Sequence, residues 1–200
     1  MQDKTQKKGQ HSERGDKMSE EMLVRYCSPT LIGMKTANMF SYRFRDTKDE
    51  QSNLRKLNRE LSVKGLRIIP LRRQNGKTLL YLYRPEKLKK DLRDDAAGRL
   101  LQGRGYQTES ISRCLAELMK RLRESECFPH EIGLFLGYPP EDVCGFIENN
   151  AENCKTVGCW KVYGDVKKAQ LTFDKYKRCT EVCCSLYSKG CSVKRMAASY

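Results

Sequence analysis

Gln74-Asn75-Gly76 stands between two strand-like runs, Leu66–Arg72 and Lys77–Tyr83, and constrains the fold more than any other feature of the chain. Asn and Gly tolerate the positive φ angles that a two-residue turn demands, so the two runs are predicted to fold back as an antiparallel hairpin. Helical patterns lie on both sides of it. Thr47-Lys48-Asp49-Glu50 reads as a capping box that opens a helix carrying Leu54, Leu57 and Leu61 on one face, with Gly65 as its stop. Further on, Val166, Ala169, Phe173, Tyr176, Thr180, Cys183 and Tyr187 recur at alternating three- and four-residue spacing behind Asp165. That is the apolar stripe of one long helix ending at Gly190.

The remaining stretches fill in the plan. A short helix is predicted to end near Tyr26, after which Ser28 caps a new turn with Pro29 in its first position. Residues 35–44 alternate as a strand. Residues 86–102 read as one helix stopped by Gly103 and Gly105, and Thr108 caps the next, with Ile111, Leu115, Leu118 and Leu122 as its stripe. Short helices are expected near 129–136 and 140–149, and a strand over Val157–Tyr163. Strands are few and do not alternate regularly with helices. The expected fold is therefore α+β: a small, mainly antiparallel sheet, made of the hairpin plus one or two further strands, covered by several helices. No G-x-G-x-x-G or Walker-type loop supports a nucleotide fold.

Residues 1–18 lack apolar periodicity and are expected to be a disordered tail before a single domain spanning 19–200. No run approaches the ~18 apolar residues of a membrane span, and no apolar segment near residue 1 suggests a secretory signal. The expectation is a cytoplasmic protein whose ten cysteines are reduced thiols. The net charge of +14 is unevenly spread. Residues 55–93 hold thirteen Lys/Arg against three Asp/Glu, whereas residues 1–18 hold five against three. A local excess of this kind draws acidic or phosphate-bearing partners, or it is a solvated face.

Phe128-Pro129-His130-Glu131-Ile132-Gly133, Leu136-Gly137-Tyr138-Pro139, Asp142-Val143 and Gly145-Phe146 form a distinctive series. With Cys27-Ser28-Pro29-Thr30-Leu31, Lys35, Trp160-Lys161-Val162-Tyr163 and Cys179, the chain resembles domain-of-unknown-function family 3793, a family of anaerobic bacteria. The resemblance covers roughly residues 20–195. It implies a redox- or iron-linked setting and supplies no catalytic residue or cofactor.

Five groups of residues are candidates for chemistry. Cys27, if at a helix start, gains thiolate character from the amides there, and His130 would be its base in a thiol-dependent enzyme. Cys154, Cys159, Cys179 and Cys183 are candidate soft metal ligands. They match no common zinc or ferredoxin spacing, and Cys183 lies in the apolar stripe, so core packing is the favoured reading. Residues 131–147 have a helix-turn-helix rhythm. The second helix, however, bears Glu141, Asp142 and Glu148, with Glu152 just beyond, and would repel phosphates. Arg67, Arg72, Arg73, Lys77 and Arg84 alternate with Tyr81 and Tyr83, which suits an acidic protein partner such as a flavodoxin-like protein, or an anionic ligand. The alternative is single-stranded nucleic acid bound through residues 55–93. Lys35, Tyr138 and Trp160 complete the candidate binding residues. The leading expectation is a binding or accessory protein that engages an acidic partner or ligand through the basic hairpin face.

Overall fold

The computed structural model describes residues 20–125 and 127–198; the tail expected over 1–18 lies outside them. The hairpin forms as the sequence dictates. β2 (Arg67–Gln74) and β3 (Lys77–Tyr83) pair antiparallel from Gln74↔Lys77 onward. Asn75 and Gly76 turn between them at φ 53° and 69°. β1 (Ala37–Tyr42) pairs with the other edge of β3, from Ala37↔Tyr83 to Tyr42↔Thr78, giving the order β1-β3-β2. Pro70 can sit in β2 because that strand is an edge, and a bulge falls between Pro70 and Arg72.

The middle strand is buried on both faces, which is why it reads as an almost unbroken apolar run. Leu80 and Leu82 join Phe40, Tyr42 and Ile68 in one core. That core is closed by α1 (Glu20–Leu31), α2 (Thr47–Ser62) and part of α8 (Val166–Ser188). Tyr81 and Tyr83, on the opposite face, join Ala37 and Leu71 in a second core. α3 (Pro85–Leu92), α4 (Asp95–Gln102), α5 (Ile111–Glu124), α6 (Ile132–Phe135) and α7 (Pro140–Glu148) close it. The fold is α+β, as the sequence implied. No helix among the described residues is long and apolar enough to cross a membrane.

Several local expectations are corrected. α1 does not end near Tyr26; it runs to Leu31 with Pro29 inside its last turn, where the ring leaves the Arg25 carbonyl without a helical N–H from residue 29. Ser28 does not cap a new helix but donates to Val24 O. Asp46, not Thr47, caps α2, its carboxylate accepting from Asp49 N at 2.8 Å. Glu50 is buried and serves the sheet instead. Residues 86–102 form two helices, because Asp94 accepts from Ala96 N and Ala97 N and starts α4 afresh. Ser110, not Thr108, caps α5. The strand expected over Val157–Tyr163 is a small hairpin of β4 (Thr156–Val157) and β5 (Lys161–Val162). A last short helix, α9 (Val193–Met196), had no sequence signal and docks on α1, its Val193 N donating to Glu20 at 2.9 Å.

Candidate ligand cleft around Lys35

Lys35 is held in the turn between α1 and β1. Its backbone N–H donates to Pro29 O at 3.0 Å, and the next residue, Thr36, donates through its hydroxyl to Asp91 on α3. Gly137 presses on the same turn: a Cβ there would lie 2.7 Å from Thr36 Oγ1. The lysine side chain, only 7% exposed, is thereby fixed between the sheet and α8.

Its walls are aromatic. Tyr138 follows Gly137, whose φ of +73° suits the end of α6. The Lys35 Nζ lies 5.1 Å from the Tyr138 ring centre and 5.9 Å from that of Tyr176 on α8. Tyr138 stacks on Trp160 with ring centres 4.9 Å apart, and Trp160 meets Phe173 edge-on at 4.6 Å. Asp142 fixes this stack. It is buried on α7, and its carboxylate accepts from Trp160 Nε1 at 2.6 Å and from the amides of Tyr163 and Gly164 at 2.7 Å each. Three glycines permit the approach. A Cβ on Gly145 would meet Tyr163 at 2.5 Å, one on Gly158 would meet the Phe173 ring at 2.2 Å, and one on Gly133 would meet Val143 at 2.8 Å.

Two hollows flank the Tyr138 ring. One, of about 210 Å³, is lined by apolar groups together with His130, Asp142 and Lys161. The other, of about 480 Å³, is a cleft with Lys35, Tyr138, Tyr176 and Cys159 around it and Lys177 and Glu181 on α8 beside them. Burial holds the Lys35 ammonium down to about 8, against a smaller upward pull from Cys159 and Cys27. No hydrogen-bond or ion-pair partner among the described residues offsets that burial; the two ring faces are its main company. Burial pushes the hydroxyls of Tyr138 and Tyr176 up to about 12, with Cys159 adding to both. The Cys159 thiol is also raised by burial, while Lys35 opposes the rise. The cleft therefore offers one near-buried cation, neutral phenols and flat apolar walls.

The other sequence candidates separate into distinct places. Cys27 is fully buried in the middle of α1, not at a helix start, and burial raises its thiol well above the ordinary range. His130 is exposed and packs against Phe146 at 5.2 Å. It is not among the groups that act on Cys27, so no described contact joins the pair. Arg84 is inside the protein, donating to the carbonyls of Thr30, Leu31, Lys64 and Ala198. Arg73 forks onto Glu50, and Arg72 donates to Leu122 O at 3.1 Å and lies over Phe128. Arg67 and Lys77 remain exposed. Tyr81 and Tyr83, expected as stacking platforms, are buried instead, because they face the second core.

Cys179 and Cys183 lie in the first core, and burial followed by the neighbouring Cys183 thiol pushes Cys179 up to about 12. Cys154 and Cys159 belong to the segment around β4. Among the described residues no three His, Cys, Asp or Glu side chains gather where one metal ion could be held.

Sequence reasoning missed three members of the site. Asp142 was weighed as a negative charge and as part of the resemblance but not as a site residue, and Phe173 and Tyr176 only as a helical stripe. Asp142 carried a signal, since a buried-helix pattern around it leaves a carboxylate needing donors. The residues that carry the family resemblance meet here: Lys35, Gly133, Gly137-Tyr138, Asp142, Gly145 and Trp160 build the cleft wall or its supports. No curated protein and no solved structure matches the chain. The model of one family, described as Protein of unknown function (DUF3793), matches residues 23–197, and the chain belongs to that family.

Proposed function

We propose that this protein binds a small planar ligand with an anionic head group in the Lys35 cleft. The observation that carries the reading is a lysine ammonium 7% exposed, facing a cleft of about 480 Å³ and unpaired among the described residues. A buried charge without a partner is costly. A carboxylate or phosphate entering the cleft relieves that cost, and the Tyr138 and Tyr176 rings take the flat body of the ligand. This keeps the binding role expected from the sequence and moves it from the hairpin, whose arginines are largely engaged within the fold.

Trp160 is the chain's one tryptophan and stacks on the cleft wall, so its emission reports occupancy. Titration with benzoate and nicotinate is expected to give a saturable change that benzyl alcohol does not produce. Lys35→Met is expected to abolish it. A response unchanged in Lys35→Met, or absent with every carboxylate, would overturn the reading.

A further inference from the structure

This inference rests on the binding reading and specifies the ligand's chemistry. We propose that Lys35 captures carbonyl compounds, its amine adding to an aldehyde or ketone carbon seated in the cleft and holding the ligand as an imine. The geometry supports this in three ways. The amine is nine-tenths buried yet lines an open cleft, so a ligand reaches it. No carboxylate among the described residues pairs with it to keep it charged. Its flanking groups are tyrosine rings, whose phenols stay protonated at neutral pH and so bring no negative charge to the amine. Burial also holds the amine down to about 8, so a larger share of it is free base at pH 7 than for an ordinary lysine. Desolvation of this kind is a recognised way of activating a lysine nucleophile.

The step balances without an oxidant or reductant. The nitrogen lone pair forms the C–N bond while the carbonyl π pair moves to oxygen. One proton passes from nitrogen to that oxygen, giving a carbinolamine. The oxygen then leaves as water with the second nitrogen proton, and the C=N bond forms. Lys177 lies beside the same cleft on α8, where it takes the anionic group of a ligand whose carbonyl meets Lys35, whereas a ligand with a carboxylate alone, such as benzoate, pairs with the Lys35 ammonium; Glu181 sits one turn further on.

The test uses 4-carboxybenzaldehyde at pH 7 with sodium cyanoborohydride, which reduces imines, followed by peptide mapping by mass spectrometry. Lys35 is expected to acquire the benzyl adduct at least tenfold faster than any other lysine. Excess benzoate should suppress the adduct, Lys35→Arg should lose it, and Lys120→Arg, on the exposed side of α5, should keep it. Labelling spread over surface lysines with Lys35 unmodified in the unaltered protein overturns the proposal. If benzoate still shifts Trp160 emission in that sample, the binding reading stands alone; if it does not, both fail.

Discussion

Lys35 and Arg84 are both largely buried cations, Lys35 at the edge of a cleft and Arg84 in the interior, and their surroundings answer the cost differently. Arg84 donates to four carbonyl oxygens, those of Thr30, Leu31, Lys64 and Ala198. Truncating it strands several buried acceptors, each worth about 1–3 kcal/mol. Arg84→Met is therefore expected to lose at least ~3 kcal/mol in urea unfolding; a loss under ~1 kcal/mol would show that water replaces the guanidinium. Lys35 has ring faces only, and the sign of its pH effect follows. Its folded-state value of about 8 lies below the ordinary 10.5, so the unfolded chain holds more protons between those values and stability rises with pH across that window. Below pH 8 the penalty is complete, about 3 kcal/mol for a shift of this size. Lys35→Met is expected to be more stable than the parent at pH 7, with the advantage fading by pH 10.5. Equal pH profiles for the two proteins would contradict this. Cys27 shows where reading single residues from sequence stops. Pro29 favours a first helical turn by its own chemistry, yet it stands in the last turn of α1, which places Cys27 mid-helix and out of reach.

At the level of elements, the cleft depends on the β4–β5 hairpin and the residue after it touching α7 and α8 with only glycine at each contact. Gly145→Ala places a methyl 2.5 Å from Tyr163, and Gly158→Ala places one 2.2 Å from the Phe173 ring. Each is expected to cost about 1–3 kcal/mol and to shift Trp160 emission, whereas a purely local loop adjustment would leave the emission unchanged. Gly98 sits inside α4 with its nearest obstacle 3.8 Å away. Gly98→Ala is expected to gain about 0.5–1 kcal/mol by restricting the unfolded chain; a loss there would reveal an unrecognised contact. The long elements were legible because their burial is one-sided and periodic, as with Leu54, Leu57 and Leu61 on α2. The errors fell at ends and in short pieces. Asp46 and Thr47 are both good caps, and pattern alone does not choose between neighbours. The run 157–163 has strand composition, yet Gly158 N bonds to Trp160 O at 3.0 Å and folds it in two. Two-residue strands are too short for alternation to register.

For the molecule as a whole, the decisive feature is one strand shared by two cores. β3 gives Leu80 and Leu82 to one and Tyr81 and Tyr83 to the other. Trp160 packs on a third, small cluster of Val162, Ala169 and Phe173 that Tyr138 joins to the second core, so unfolding followed by far-ultraviolet circular dichroism and by Trp160 emission is expected to coincide in urea. Two separated transitions would mean that the cleft region unfolds on its own. The net charge of +14 was legible as a number, but its local excess does not mark the candidate site, because Arg73 and Arg84 are spent on Glu50 and on backbone carbonyls. What marks the site is a single lysine whose partner-free burial no sequence window reveals, since its rings arrive from residues 138 and 176. The central claim is tested most directly by titrating the Lys35 side chain by NMR in lysine-labelled protein, assigned with Lys35→Met, with and without benzoate. The account predicts a midpoint near 8 in the free protein that rises when benzoate is bound. A midpoint at the ordinary 10.5, unmoved by benzoate, would contradict it.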